Sequence, residues 1–225
     1  MITIQANYHA EMLELPSRNV ENDIFSPAIW RALAAEYLVQ LGAGLSVAAR
    51  RDSLELAEEV SRLVEPRAGF GGMRYHVYGN GRLQESTSTW SPVADANPYD
   101  SFASMVSAHG VSPSGMLVSS LFADSHPTSP GSMTLAFRAW HDDEHLAHGL
   151  GFSPNDEVAL FAIQAQRLRS IREGAARALF SESVYQLAAQ VTLGDYPATQ
   201  TVAELGPVGR EVFDRLVWGA AQHSA

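Results

Sequence analysis

Beyond residue 132 the apolar positions recur at α-helical spacing, broken only by glycine and proline, a pattern that admits little except a packed set of helices. Residues 133–148 form the first predicted helix, stopped by Gly149. Ser153-Pro154-Asn155-Asp156-Glu157 opens the second. Serine before the first turn, proline at its start and acids within it all suit the unpaired N–H groups at a helix N-terminus. That helix runs to about Arg172. A third is predicted over 175–193, closed by Gly194-Asp195-Tyr196-Pro197, and a fourth from Pro207 to Trp218.

Upstream the signals are mixed. Residues 1–25 read as an extended arm. Ser26-Pro27 opens a helix whose Ile29, Trp30, Leu33, Tyr37, Leu38 and Leu41 share a face and which Gly42 ends. A second upstream helix is predicted over 52–65, ended by Pro66. Aromatic and β-branched residues over 73–78, the turn chemistry Gly79-Asn80-Gly81 and an extended stretch over 83–89 predict a β-hairpin. A short helix follows over 99–109. Residues 111–132, rich in serine and proline around an apolar island at 116–122, read as a flexible connection. The expected fold class is mainly α (α+β), a helical bundle-like single domain over 1–225 with a small β-hairpin and a helical part at 133–222.

Composition removes several function classes. With 225 residues and 46% of them apolar, the chain can bury a core without covalent staples. No cysteine is present, which excludes disulfides, thiolate nucleophiles and Cys-ligated metals. All fifteen basic residues are arginine, so Schiff-base chemistry and a P-loop lysine are excluded too. A net charge of −10 argues against nucleic acid as partner. The N-terminal residues do not form a signal peptide and no apolar run spans a bilayer, so the expected location is cytoplasmic, with no membrane contact.

The chemistry concentrates in one helix. His141-Asp142-Asp143-Glu144-His145-Leu146-Ala147-His148 places three of the eight histidines within one stretch. At 3.6 residues per turn, positions four and seven apart lie within about 60° of one another, so the three imidazoles share a face. His141 and His145 at i and i+4 have the spacing by which one helix offers two nitrogens to one metal. The turn after Gly149 is short enough to bring the next helix back and with it Glu157, which shares a face with Phe161, Gln164 and Leu168. The predicted metal ligands are therefore His141, His145 and Glu157, with His148 in reserve. The cofactor is a divalent metal, zinc favoured, with iron or manganese as alternatives. Glu182 and Gln186 offer a further ligand or an outer partner.

Several reactions fit these residues. His141-x-x-Glu144-His145 matches an inverted zinc-hydrolase pattern with Glu144 as base, and Asp142 is the other carboxylate able to act as base or orienting group. Two histidines and a carboxylate also suit iron or manganese handling oxygen. The doublet His141-Asp142 admits a phosphohydrolase, completed by His109 or His126 and by Asp156 or Asp195. Serine catalysis is the weaker choice, since no Gly-x-Ser-x-Gly elbow occurs, and no nucleotide cofactor is expected because the dinucleotide fingerprint is missing. The favoured activity is metal-dependent hydrolysis of a small-molecule substrate. A different class, a non-catalytic assembly or interaction protein with a protein partner or a second copy, uses the same apolar faces and the segment 111–132.

Ala139-Trp140-His141-Asp142-x-x-His145, followed by Gly151-Phe152, Glu157, Gln164 or Gln166, Val184-Tyr185-Gln186 and Gly194-Asp195-Tyr196-Pro197 with Gln200, resembles a group of uncharacterised bacteriophage and bacterial proteins. The likeness covers roughly 135–200. It implies that His141, Asp142, His145, Glu157, Tyr185 and Gln186 belong to one site, and it brings no activity. The acidic pair Asp143-Glu144 is the departure from that pattern.

Overall fold

The computed structural model describes residues 25–64, 75–79, 82–85, 103, 116–119, 131–194 and 200–222. Helix predominates among them. In chain order they form α1 (Pro27–Leu41), α2 (Val47–Val64), β1 (Tyr75–Gly79), β2 (Arg82–Glu85), β3 (Met116–Ser119), α3 (Gly131–His148), α4 (Pro154–Arg169), α5 (Glu173–Phe180), a π turn (Ser181–Tyr185), α6 (Gln186–Leu193) and α7 (Pro207–Gln222). All but Phe25 of the expected arm at 1–25, most of the expected helix at 99–109 and the turn residues Asn80 and Gly81 lie outside the described residues.

The helix signals act as they read. Ser26 Oγ accepts from Ile29 N at 3.4 Å ahead of Pro27, and Ser153 Oγ accepts from Asp156 N at 3.2 Å ahead of Pro154. α2 starts five residues before the expected position, because Ser46 Oγ takes the Ala49 N–H and Ser46 O takes that of Arg50. The single helix expected over 175–193 is interrupted by the π turn at Ser181–Tyr185. β1 pairs antiparallel with β2 and parallel with β3, in the order β2-β1-β3. β3 falls in the apolar island of the segment expected to be a flexible connection. Its four residues satisfy the free edge of β1, and α3 packs against it.

α1 packs on α6, α2 on α5 and α3, and α4 on α5. Small residues allow the α2–α5 approach: a side chain at Gly174 would collide with Asp52 and Glu55. Asp52, buried on α2, accepts both Arg177 Nε and Nη2 at 2.8 and 3.0 Å, which supplies the pairing a buried charge requires. The centre of the core is aromatic. Phe161, Phe180 and Phe213 have ring centroids 5.3 to 6.4 Å apart, and Tyr185 meets Phe180 edge to face at 5.1 Å.

Residues 200–206 have no described strand to pair with, so side chains satisfy their backbone. Tyr37 Oη accepts from Thr201 N, Ser181 Oγ from Ala203 N, Gln40 Oε1 from Glu204 N and Tyr185 Oη from Gly206 N. Glu36 then caps α7: its Oε1 accepts from Val208 N at 2.8 Å and its Oε2 from Gly209 N at 2.9 Å, while Tyr185 Oη donates to Oε2 at 2.7 Å. Glycine is required at 209, where a Cβ would meet the Tyr185 ring.

Candidate metal centre

α3 carries two of the three converging side chains, and the way it ends holds one of them in place. Gly149 adopts a left-handed conformation (φ 64°), with Leu150 N donating to His145 O and Gly149 N to Leu146 O. This paired closure needs a residue without a Cβ at the turn. It returns Leu150 over the helix end, so that the Leu150 carbonyl lies 3.1 Å from His145 Nδ1. A carbonyl only accepts, so His145 donates Nδ1–H there and its other nitrogen, Nε2, is the one turned into the cluster.

His141, one turn earlier, has its Nδ1 3.4 Å from Gln164 Oε1 and its Nε2 turned toward His145. α4 then supplies Glu157 from its first turn. His141 Nε2 is 3.1 Å from Glu157 Oε2, His145 Nε2 is 3.5 Å from Glu157 Oε1, and the two imidazole Nε2 atoms are 3.2 Å apart. Ligand atoms about 2.0–2.1 Å from a tetrahedral zinc ion lie roughly 3.3 Å from one another. The Nε2–Nε2 distance and that from His141 Nε2 to Oε2 fall close to that value; each imidazole faces a different oxygen of Glu157, and with one ligand atom taken from each residue the three lie within 4.8 Å of one another. The chemistry of the donor set also fits, because two imidazole nitrogens and a carboxylate suit zinc and, with open positions, iron.

Burial grades across the cluster. The His145 side chain is 1% exposed, whereas His141 and Glu157 are 17% and 22% exposed, so the cluster opens to solvent on their side. Phe137 stacks on His141 with centroids 5.9 Å apart, and Phe152 meets His145 edge to face at 5.2 Å. Protonation follows from the same contacts. Burial lowers the basicity of His141, but its contact with Glu157 and the charges of Glu157 and Asp142 outweigh this and leave it raised. Burial acts upward on Glu157, and the two imidazoles overcome it, bringing the carboxyl to about 2. Asp142 moves the other way. Half-buried beside the cluster, it is pushed by burial up to about 6 against the pull of His141 and His145.

The remaining sequence candidates lie elsewhere. Glu144 is buried, and its carboxylate is committed to Trp140 Nε1 at 3.2 Å, to His148 Nε2 at 3.1 Å and to Arg167 of α4. His148 is thereby a partner of Glu144 and does not join the three. Gln186 Nε2 donates to Glu182 Oε2 at 2.8 Å, and Tyr185 is engaged with Glu36 and Gly206, so these residues form hydrogen-bond groups of their own. His109, His126 and Asp195 lie outside the described residues. Sequence reasoning missed the Leu150 carbonyl and the approach of the Phe152 ring to His145. The stop at Gly149 was the available signal for the first, since a left-handed cap folds the next residue back over the last turn.

No match to this chain was found among protein-family models, curated proteins or solved structures. No helix among the described residues is long and apolar enough to cross a membrane.

Proposed function

We propose that His141, His145 and Glu157 hold one divalent metal ion, zinc in preference to iron or manganese, and that the protein is a metal-dependent hydrolase of a small molecule. The observation that carries this reading is the convergence of one ligand atom each from His141, His145 and Glu157 to within 4.8 Å, with the two Nε2 atoms 3.2 Å apart and facing different Glu157 oxygens at 3.1 and 3.5 Å. Without a cation, two lone pairs 3.2 Å apart repel unless a proton lies between them. When bound, a divalent ion supplies Lewis acidity and lowers the pKa of a coordinated water. Three protein ligands leave a position open, as hydrolytic zinc sites require.

The chain's own residues set the rest. The partial exposure of His141 and Glu157 gives access, while Phe137 and Phe152 flank it with apolar surface that suits a small substrate. Asp142 is the proton-transfer group in this reading, because Glu144 is held by Trp140, His148 and Arg167. The test is metal analysis by mass spectrometry on untagged protein, wild type against a His141→Ala/His145→Ala variant of verified helical content. Near-stoichiometric zinc that disappears in the variant supports the hydrolase. Iron or manganese in its place moves the reading to oxygen chemistry. Absence of any metal after reconstitution at neutral pH overturns the metal centre and with it the hydrolase.

A further inference from the structure

Gln164 occupies a place where a polar side chain is costly. It is fully buried on α4, whose Leu160, Phe161, Ile163, Ala165 and Leu168 are buried too, and its amide nitrogen has no hydrogen-bond partner among the described residues. A buried donor left unmatched opposes folding. Among the described residues, the amide's hydrogen-bond contact is between its oxygen and His141 Nδ1 at 3.4 Å. Packing alone would favour leucine at this position, so what the residue contributes lies with His141.

We propose that Gln164 is a positioning residue of the metal centre: its Oε1 accepts the Nδ1–H of His141 and so holds that imidazole in the tautomer and orientation that turn a bare Nε2 toward His145 and Glu157. This rests on the metal reading above and deepens it. The arrangement parallels that of His145, whose Nδ1 faces the Leu150 carbonyl. Both imidazoles are thus set by neutral acceptors, one from the backbone and one from a side chain. With neutral outer partners and Glu157 as the single anionic ligand, a divalent ion at this centre keeps a net charge of about +1. Such a centre favours an oxyanion or a polarisable carbonyl oxygen in its open position, which narrows the substrate class to esters, amides or phosphoryl compounds. The spacing was in the sequence already, since Gln164 follows Glu157 by two helical turns and lies on its face.

The experiment uses the full chain, with zinc(II) affinity measured by competition with a chromogenic chelator and cobalt(II) absorption as a report on geometry. Gln164→Leu removes the acceptor while filling the same volume with an apolar side chain, and Gln164→Glu keeps an acceptor oxygen. The expected result is a loss of zinc affinity in Gln164→Leu of about 10–100-fold, the size found for outer partners of metal-bound histidines. Its cobalt spectrum is altered, and its metal-free melting temperature is equal to or above that of wild type. Gln164→Glu, which keeps the acceptor and adds a negative charge, binds zinc at least as tightly as wild type. A merely structural glutamine gives the opposite split: the metal-free melting temperature falls in Gln164→Leu, the cobalt spectrum of the folded fraction is unchanged, and the inference is overturned. Wild-type binding with unaltered binding in Gln164→Leu overturns this inference alone, whereas no zinc or cobalt binding in wild type overturns the metal reading together with it.

Discussion

Two polar clusters are built into this helical core, and they differ in how completely their hydrogen-bonding groups are matched. Around Glu36 every donor meets an acceptor. Tyr185 Oη and the N–H groups of Val208 and Gly209 converge on one carboxylate, and Tyr185 Oη in turn takes the N–H of Gly206. Around Glu157 the balance is reversed: two imidazole Nε2 atoms and a carboxylate face one another with more lone pairs than protons, and a buried amide nitrogen is left over nearby. A matched cluster tethers elements, here α1 to the π turn and α7. A cluster with surplus lone pairs is arranged to receive a cation. Their contrasting behaviour under substitution tests the distinction.

The largest effect on folding is expected at the matched cluster. Glu36→Ala strands three partly buried donors at once and removes the cap of α7, and a loss of about 2–3 kcal/mol follows from the lost cap and the unmatched donors together. Thermal or urea unfolding followed by circular dichroism checks this. A variant as stable as wild type would remove the tethering role and with it the contrast drawn here. Gly209→Ala comes next. Its methyl group must displace the Tyr185 ring, and a loss of about 2 kcal/mol is expected from overpacking.

Alkaline pH acts on the same cluster. Burial, reinforced by Glu36, raises the Tyr185 phenol well above its ordinary value, and burial raises Tyr37 likewise, in its case against the Thr201 N–H. Each folded-state value lies above the unfolded one, so the folded chain holds protons that the unfolded chain releases. The contribution is fully present below about pH 10 and is lost as pH rises through the folded values. Melting temperature is therefore expected to fall steeply above about pH 10, with a shallower fall in Tyr185→Phe. An equal slope in both proteins would place the alkaline sensitivity elsewhere.

How much of this was legible before the structure depended on distance along the chain. His141 and His145 were legible because helical periodicity fixes the angle between residues one turn apart. Glu157 followed from two local punctuation marks, the Gly149 stop and the Ser153-Pro154 start. The predominantly helical core was legible for the same reason. For Glu144 the three-letter match takes no account of which way the carboxylate turns. Trp140 and His148, both one turn away, claim it, together with Arg167 from the next helix. The Glu36 cluster was invisible, since it joins α1 to residues some 150 to 170 positions later and its members carry no motif. β3 was hidden in a serine- and proline-rich stretch, where four apolar or small residues become a strand only because β1 offers an unpaired edge.

The smallest effect on folding, and the sharpest on function, is expected from Glu157→Gln. The side chain is partly exposed and the substitution keeps its shape, so the metal-free chain is expected to lose the imidazole contacts that hold the Glu157 carboxyl at about 2 yet to lose less stability than Glu36→Ala. Metal binding should behave differently. The glutamine cannot supply the negative charge that balances the ion, and the loss of zinc affinity is expected to exceed the ~10–100-fold typical of an outer partner. Zinc that binds only the folded state raises the melting temperature in proportion to the logarithm of its concentration over its dissociation constant. Added zinc should therefore raise the melting temperature of wild type and leave that of Glu157→Gln where it was. A variant that loses stability in chelator as heavily as Glu36→Ala would place Glu157 in the matched, tethering class, and the contrast between the two clusters would then be one of position alone.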